Sequence, residues 1–514
     1  MFNKFRKNII ITFLCIVVPV VLISCTEKVQ SDIFNVQGRV TLCRCANDSV
    51  ILTLASDIYG TVEILTDSEG YYVFENVWEG TYVVTARKEG YTFFPSSREI
   101  RVSGSDVELV DFDTITSWDK WYGSEDKTGE SFSVVQTPDC GFLIAGYRDV
   151  SVAGAENLDM WLIKTDLYGT IVWEETHGDP HYPDIAYSAI YDNSGNIVVG
   201  GYSDSVNAGS FNILKYVNAG VENSAWTLTG GWERFYGNEL LPDRPAYIFE
   251  TADSGYFVGG YSGGTAGNLE DVYGIILDND GEQFITPLFY GVDDSEKSHA
   301  ADMILHDALY RGGFIIAGET KDSSGLTRAL LLKRDSVFGV AWDRVYIARD
   351  PLTGSDCYFT SFDSVKEAAD SGYICGGTIK KSRVSTRDIY ILKTDSNGDE
   401  QWSRIIDNGA DDFNGLVVLT GDGGYAVGAT CMSVTDTIYR FTLIKLSGSG
   451  DIEWQKQYDA GNGADVYLRS VVQTYDGGYT LCGIKHTFKG KKQVFLIKTD
   501  RNGDLPLKQE SAKR

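Results

Sequence analysis

The stretch VFLIKTDRNGD, Val494 to Asp504, decides the fold, because it nearly repeats IYILKTDSNGD at Ile389 to Asp399. The earlier copy runs on through Glu400 and Gln401 into Trp402, whereas no Trp follows the later one and the chain ends at Arg514. Each copy is an apolar strand-like run closed by an Asp–x–Asn–Gly or Asp–Arg–Asn–Gly turn, the local chemistry of a hairpin. Further copies lie upstream. Aligned on the residue after the turn Gly or Asn, they place Phe142, Ile197, Tyr256, Phe314, Tyr373, Tyr425 and Tyr479 in register, 52 to 59 residues apart. A period of that size marks an array of structural units.

The first unit shows the plan. SFSVVQT (131–137) reads as a strand and PDCG as a turn; FLIAGY (142–147) is a second strand. DMWLIKTD (159–166) is a third, and a turn at Gly169 leads to a fourth, VWEETHG (172–178). Four antiparallel strands per unit, seven times over, predict an all-β, seven-bladed β-propeller spanning 115–505. The last unit stops after three strands. The missing one is foreshadowed in SWDKWYGSEDKTGE, Ser117 to Glu130, where Trp118, Tyr122 and Gly123 repeat the spacing of Trp232, Tyr236 and Gly237. The expectation is that this segment pairs with Val494–Lys498, closes the ring and removes two open sheet edges.

Ahead of the propeller the pattern changes. TDSEGYYVFENVWEGTYVVTARKEGYTFFP, Thr66 to Pro95, alternates strand and turn, with Tyr72 and Phe74 on one face and Tyr82, Val84 and Ala86 repeating it after Gly80. Gly38, Val40, Thr66, Asp67, Gly70, Tyr72, Phe74, Asn76, Gly80, Tyr82, Gly90, Tyr91 and Pro95 resemble the carboxypeptidase regulatory-like family, which implies a small transthyretin-like β-sandwich over 34–114. Trp78 stands where that family usually has Pro. The resemblance brings no catalytic residue with it.

The chain begins with Lys4, Arg6 and Lys7, then an apolar run from Ile9 to Ile23 interrupted by Pro19. This reads as a signal peptide, residues 1–24, and is too short and broken for a membrane span. LISC, residues 22–25, resembles the bacterial lipobox, which implies a covalent lipid on Cys25, a tether over 25–33 and attachment to the cell envelope. Thr26 after the Cys favours the outer membrane, since known sorting signals for inner-membrane retention carry Asp there.

The net charge is −27, and losing the signal segment makes it more negative. Such a chain repels phosphate backbones, which argues against a nucleic-acid partner. Beyond Cys15 and Cys25, seven Cys remain, and Cys43 and Cys45 are too close for an unstrained bridge, so no disulfide framework is expected. Cys375 and Cys482 sit in apolar strand patterns as small core residues. Residues 506–514 read as a tail.

Chemistry is sparse. The KTDxxGxxxW turn has Gly three positions after Asp at Asp395–Gly398, whereas the docking motif of pyrroloquinoline-quinone dehydrogenases has four; sialidase Asp-boxes place Trp three after Gly, and here Trp402 is four after Gly398. Neither enzyme class transfers. A residue repeated in most blades serves packing, because catalysis needs its residue once. His177, Asp179, His181 and Asp184 cluster in HGDPHYPD, but Gly178 and Pro180 break the helix that usually presents such a pair to a metal. No catalytic, metal or cofactor residue is assigned.

The units resemble the bacterial DGGY and KTDxxGxxxW repeat propellers of secreted proteins and lipoproteins. That points first to a monomeric, non-catalytic binding or scaffold lipoprotein, similar in plan to the propeller lipoprotein of outer-membrane barrel assembly. The alternatives are a glycan-binding or glycan-processing surface protein and, third, a quinone-dependent dehydrogenase. The first-to-second turns and most third-to-fourth turns are short and alike. Loops on the other face vary: 149–158, 178–186, 237–246 and 347–357. Variable loops on a rigid frame are where binding concentrates. A protein or glycan partner is therefore expected on that face near the axis, with His181, Tyr182, Asp184, Arg244, Arg349, Asp350 and Asp356 as candidate contacts.

Overall fold

The structure is a computed structural model. It describes residues 33–505 apart from 43–44, 47–48, 89–90, 152–156, 205–209, 218–226, 238–242, 264–269, 284, 292–295, 308, 310 and 462. The signal segment, Cys25 and the tail 506–514 lie outside the described residues.

Seven four-stranded antiparallel sheets follow an N-terminal β-sandwich, forming a seven-bladed propeller. The first blade runs Gly129–Gln136, Phe142–Asp149, Leu158–Thr165, Ile171–His177. These strands lie within two residues of those read from its sequence. Second and third strands are buried almost throughout, which is why they read as continuous apolar runs. Fourth strands such as Ile452–Tyr458 alternate toward solvent.

The last blade holds Val466–Gln473, Tyr479–His486 and Lys492–Thr499, and its fourth strand is Trp118–Tyr122. Pairing is antiparallel from Trp118 opposite Lys498 to Tyr122 opposite Val494. One apolar cluster runs through this seam, joining Trp118, Cys482, Val494 and Leu496 to Phe142, Ile144 and Trp161 of the first blade. The Trp118 indole donates to the Leu167 carbonyl (2.9 Å) and the Tyr122 hydroxyl to that of Gly169 (2.8 Å). Trp342 and Tyr346 dock in the same way on Ser396 and Gly398, one blade on.

The third-to-fourth turn therefore has two duties. Asp166 Oδ1 accepts from the backbone N–H groups of Tyr168 and Thr170, and Asp500 Oδ1 from those of Asn502 and Asp504. Gly169 takes φ +73°, and a Cβ there would stand 2.7 Å from the Trp118 ring. Only Gly meets both conditions.

The sandwich packs two sheets. One has Ile33–Leu42 between Tyr71–Trp78 and Phe112–Ile115; the other orders Gly60–Leu65, Ile51–Ser56, Gly80–Arg87, Arg98–Val102. Tyr72, Phe74, Tyr82 and Val84 are in its core, as their alternation predicts. Gly38 is required by close approach, since a Cβ would lie 2.3 Å from the Val110 carbonyl oxygen.

The sandwich rests on the turn face of the propeller. Arg501, in the last third-to-fourth turn, lies 3.8 Å from the Phe94 ring centroid and 3.7 Å from the Asp113 carboxylate, and donates to the Asp476 carbonyl. Tyr91 meets Tyr168 of the first blade edge-on at 6.2 Å, and Lys498 Nζ donates to the Thr116 carbonyl.

Candidate binding site at the mouth of the propeller

First strands of successive blades contact one another all the way round, so they line the axis. Each starts on the loop face and pairs with the second strand, and in every blade that pairing slips once near its beginning. The slips make β-bulges at one level. The extra residues are Phe132, Tyr187, Ala246, His299, Asp363, the pair Asn414–Gly415, and Arg469. A bulge leaves a residue outside the ladder and re-aims its side chain. Seven at one height make an inner ring of dissimilar side chains on a repetitive frame.

The ring has two characters. On one side Phe132 and Tyr187 pack at 4.8 Å between centroids with their rings tilted by 43°, and Arg469 lies 5.7 Å over Phe132 while donating to Glu130 Oε1 (2.8 Å). Glu130 also accepts from Lys492 (2.8 Å) and the Tyr147 hydroxyl (3.0 Å). Burial alone would raise its carboxyl, but Arg469 and Lys492 overcome this and hold it below the usual range. Next round the ring, Arg244 is exposed, lies 5.3 Å over Tyr202, and has Tyr187 and Tyr261 beside it. Among the described residues no carboxylate pairs with it. Lys297 lies over Tyr261 at 5.3 Å and pairs with Glu270 at 2.6 Å.

Between the fourth and fifth blades the ring is acidic. His299 Nδ1 sits 3.1 Å from the Phe362 carbonyl oxygen and 3.8 Å from Asp363 Oδ1. The Thr378 hydroxyl donates to Asp363 Oδ2, and burial lifts this carboxyl to about 6 although His299 and Thr378 pull it down. Glu319 adds a like charge.

The residues picked out from the sequence fall in different settings. Arg244 is in the mouth just described. Tyr182 and His181 are exposed on the loop between the first two blades, with His181 Nδ1 3.3 Å from Asp179. Asp184 is buried and accepts from the Asp179 backbone N–H (2.7 Å), which fixes that loop. Asp350 accepts from Leu352 N–H and the Thr353 hydroxyl within its own turn. Arg349 and Asp356 pair with each other at 3.3 Å across an exposed bridge. His177 pairs with Glu233 of the second blade at 3.0 Å, and that hydrogen bond raises its pKa. Among the described residues no three His, Cys, Asp or Glu stand together as a metal cluster.

Two features escape a reading of the sequence. One is the ring of bulges, since a slip by one residue leaves no signature in composition. The other is an ion pair between a buried Lys and an Asp at the turn face of most blades. Lys164, Lys333, Lys393, Lys445 and Lys498 pair at 2.6–2.9 Å with Asp139, Asp307, Asp370, Asp422 and Asp476. In the third blade Ile276 replaces the Lys, and Asp253 accepts from Thr251 instead. That matched recurrence was the available signal, and it marks a structural pair rather than a site.

Residues 34–116 match the family described as BOS complex subunit NOMO1-like, second beta sandwich domain. No curated protein matches the chain. Solved structures similar to it include polysaccharide lyase Uly1, 11% identical, covering 74% of this chain and 91% of that one, TM-score 0.46. A PL25 ulvan lyase bound to -[GlcA(1-4)Rha3S]- is 10% identical, covering 74% and 96%, TM-score 0.45. Sqt1 from Chaetomium thermophilum is 10% identical, covering 73% and 97%, TM-score 0.39. The chain thus joins a NOMO1-like, carboxypeptidase-regulatory-like sandwich to a propeller whose distinctive chemistry lies at its loop-face mouth.

Proposed function

We propose that this chain is a lipid-anchored, non-catalytic binding protein of the bacterial cell envelope, working as a monomer, tethered through Cys25 and engaging its partner at the loop-face mouth of the propeller. The observation that carries the reading is the seat of the sandwich. It connects the amino-terminal segment to the propeller and rests on the turn face through Arg501, Asp113 and Tyr91. The sandwich thereby occupies the turn face, and it leaves the variable loops uncovered on the other side.

Two measurements test this. Cys25→Ala is expected to move the protein into the soluble fraction and abolish labelling by a fatty-acid precursor; retention of both defeats the anchor. A photoreactive benzophenone side chain at Tyr182, on the loop face, is expected to capture a partner in cells. The same group at Tyr475, exposed on the turn face, is expected to capture none. Adducts from Tyr475 alone would reverse the assignment of face.

A further inference from the structure

The chemistry of the mouth narrows the ligand. In a chain of net charge −27, Arg244 is an exposed guanidinium with no carboxylate partner among the described residues. Its Cζ lies 5.3 Å from the Tyr202 ring centroid, with Tyr187 and Tyr261 beside it. A guanidinium is a planar fork of N–H donors, suited to two parallel bonds to a carboxylate. Lys297 and Arg469 stand to either side; Glu270 pairs with Lys297, and Glu130 is shared by Arg469 and Lys492. Among the described residues Arg244 is thus the guanidinium of this neighbourhood left without a carboxylate partner, beside aromatic faces and tyrosine hydroxyls.

An acidic peptide would most readily add as a strand along an inner edge. The inner edges here are interrupted by a bulge in every blade, which breaks the regular row of backbone groups that strand addition needs. Recognition must then run through side chains. Aromatic faces accept the C–H face of a pyranose ring, the hydroxyls bond to its hydroxyl groups, and the guanidinium takes a carboxylate. Asp363, two blades round from Arg244, and Glu319 beside it disfavour a second acid at that position.

We propose that Arg244, with Tyr187, Tyr202 and Tyr261, forms a subsite for the carboxylate of a uronic-acid-containing saccharide. This rests on the reading that the mouth is the binding face and names what it takes.

The test uses the whole soluble chain (Cys25→Ala) and oligogalacturonate, followed by isothermal titration calorimetry. Saturable binding is expected. Fully methyl-esterified oligogalacturonate, which keeps the rings and loses the charge, is expected to bind at least about tenfold more weakly. Arg244→Gln is expected to bring the acid form down to the level of the ester while leaving the melting temperature unchanged, and Arg244→Lys to recover only part of the affinity. Equal binding of acid and ester, an unaffected Arg244→Gln, or no binding of glucuronate or galacturonate oligomers overturns the proposal. So does saturation by polyglutamate in their place, which would make the ligand an acidic peptide. None of these outcomes touches the benzophenone experiment, so loss of the saccharide and loss of the binding face remain separate results.

Discussion

At the scale of single residues, the repeat buries carboxylates near one another, and Asp412 titrates in an accessible range. Asp412, fully buried at the start of a first strand, accepts from the Asn408 backbone N–H and faces Asp388, whose own carboxyl burial also raises. Cys431 and Asn408 pack against it, and Lys381 pairs with Asp388 and Asp407 nearby. Burial lifts Asp412 to about 6, against about 3.9 in an unfolded chain. Between those values the folded state holds a proton that the unfolded state has released. That contribution is complete below about pH 4 and is lost as pH climbs past about 6. Asp412→Asn mimics the protonated form. It is expected to stabilise the protein by about 2–3 kcal/mol at pH 8 and by nothing at pH 4, measured by denaturant unfolding at each pH. Equal stability of variant and wild type at pH 8 would mean that Asp412 ionises there without cost.

At the scale of elements, the closing strand carries the ring. The Trp118 ring is buried against Phe142 and over Gly169, and its indole N–H is satisfied. Trp118→Ala leaves a cavity at the one seam where the two ends of the propeller meet. The expected cost is about 3–5 kcal/mol, read as a shift of the unfolding midpoint. Gly169→Ala puts a Cβ into the same ring and into a left-handed backbone conformation, at an expected cost of about 1–3 kcal/mol. Because both act through one contact, their effects should not add. Full additivity would show that the turn and the strand are independent. The sequence revealed this element because Trp and Tyr keep their spacing in four places. The bulges of the first strands remained hidden, because a slip of register depends on how two strands meet.

At the scale of the whole molecule, the sandwich is an appended unit and the ring is self-contained. The two meet through a few side chains, chiefly Arg501 with Phe94 and Asp113 and Tyr91 with Tyr168. Deleting residues 34–113 is expected to leave the propeller's thermal transition within about 4 °C of its original position. Deleting 117–130 is expected to abolish the cooperative transition, since it opens a sheet edge and unseats the last blade. Arg501→Ala is expected to leave both transitions in place but speed proteolysis of the connection at 114–117. A collapse of the propeller on loss of the sandwich would make the two domains one folding unit.

What the sequence determined by itself was everything that recurs or alternates. The unit length, the four strands, the turn Asp and Gly, the docking Trp and the closing strand all repeat, and the alternation of Tyr72, Phe74, Tyr82 and Val84 already implied the sandwich core. Repetition exposes packing, because the same contact must be rebuilt in each blade. The candidate site is the reverse case. Arg244, Tyr187, Tyr202 and Tyr261 come from two blades and four strands, and nothing in their spacing links them. Only the packing of the second blade on the third brings the Arg244 guanidinium among three phenol rings. Proximity across blades is a property of how the sheets pack, and no local pattern encodes it.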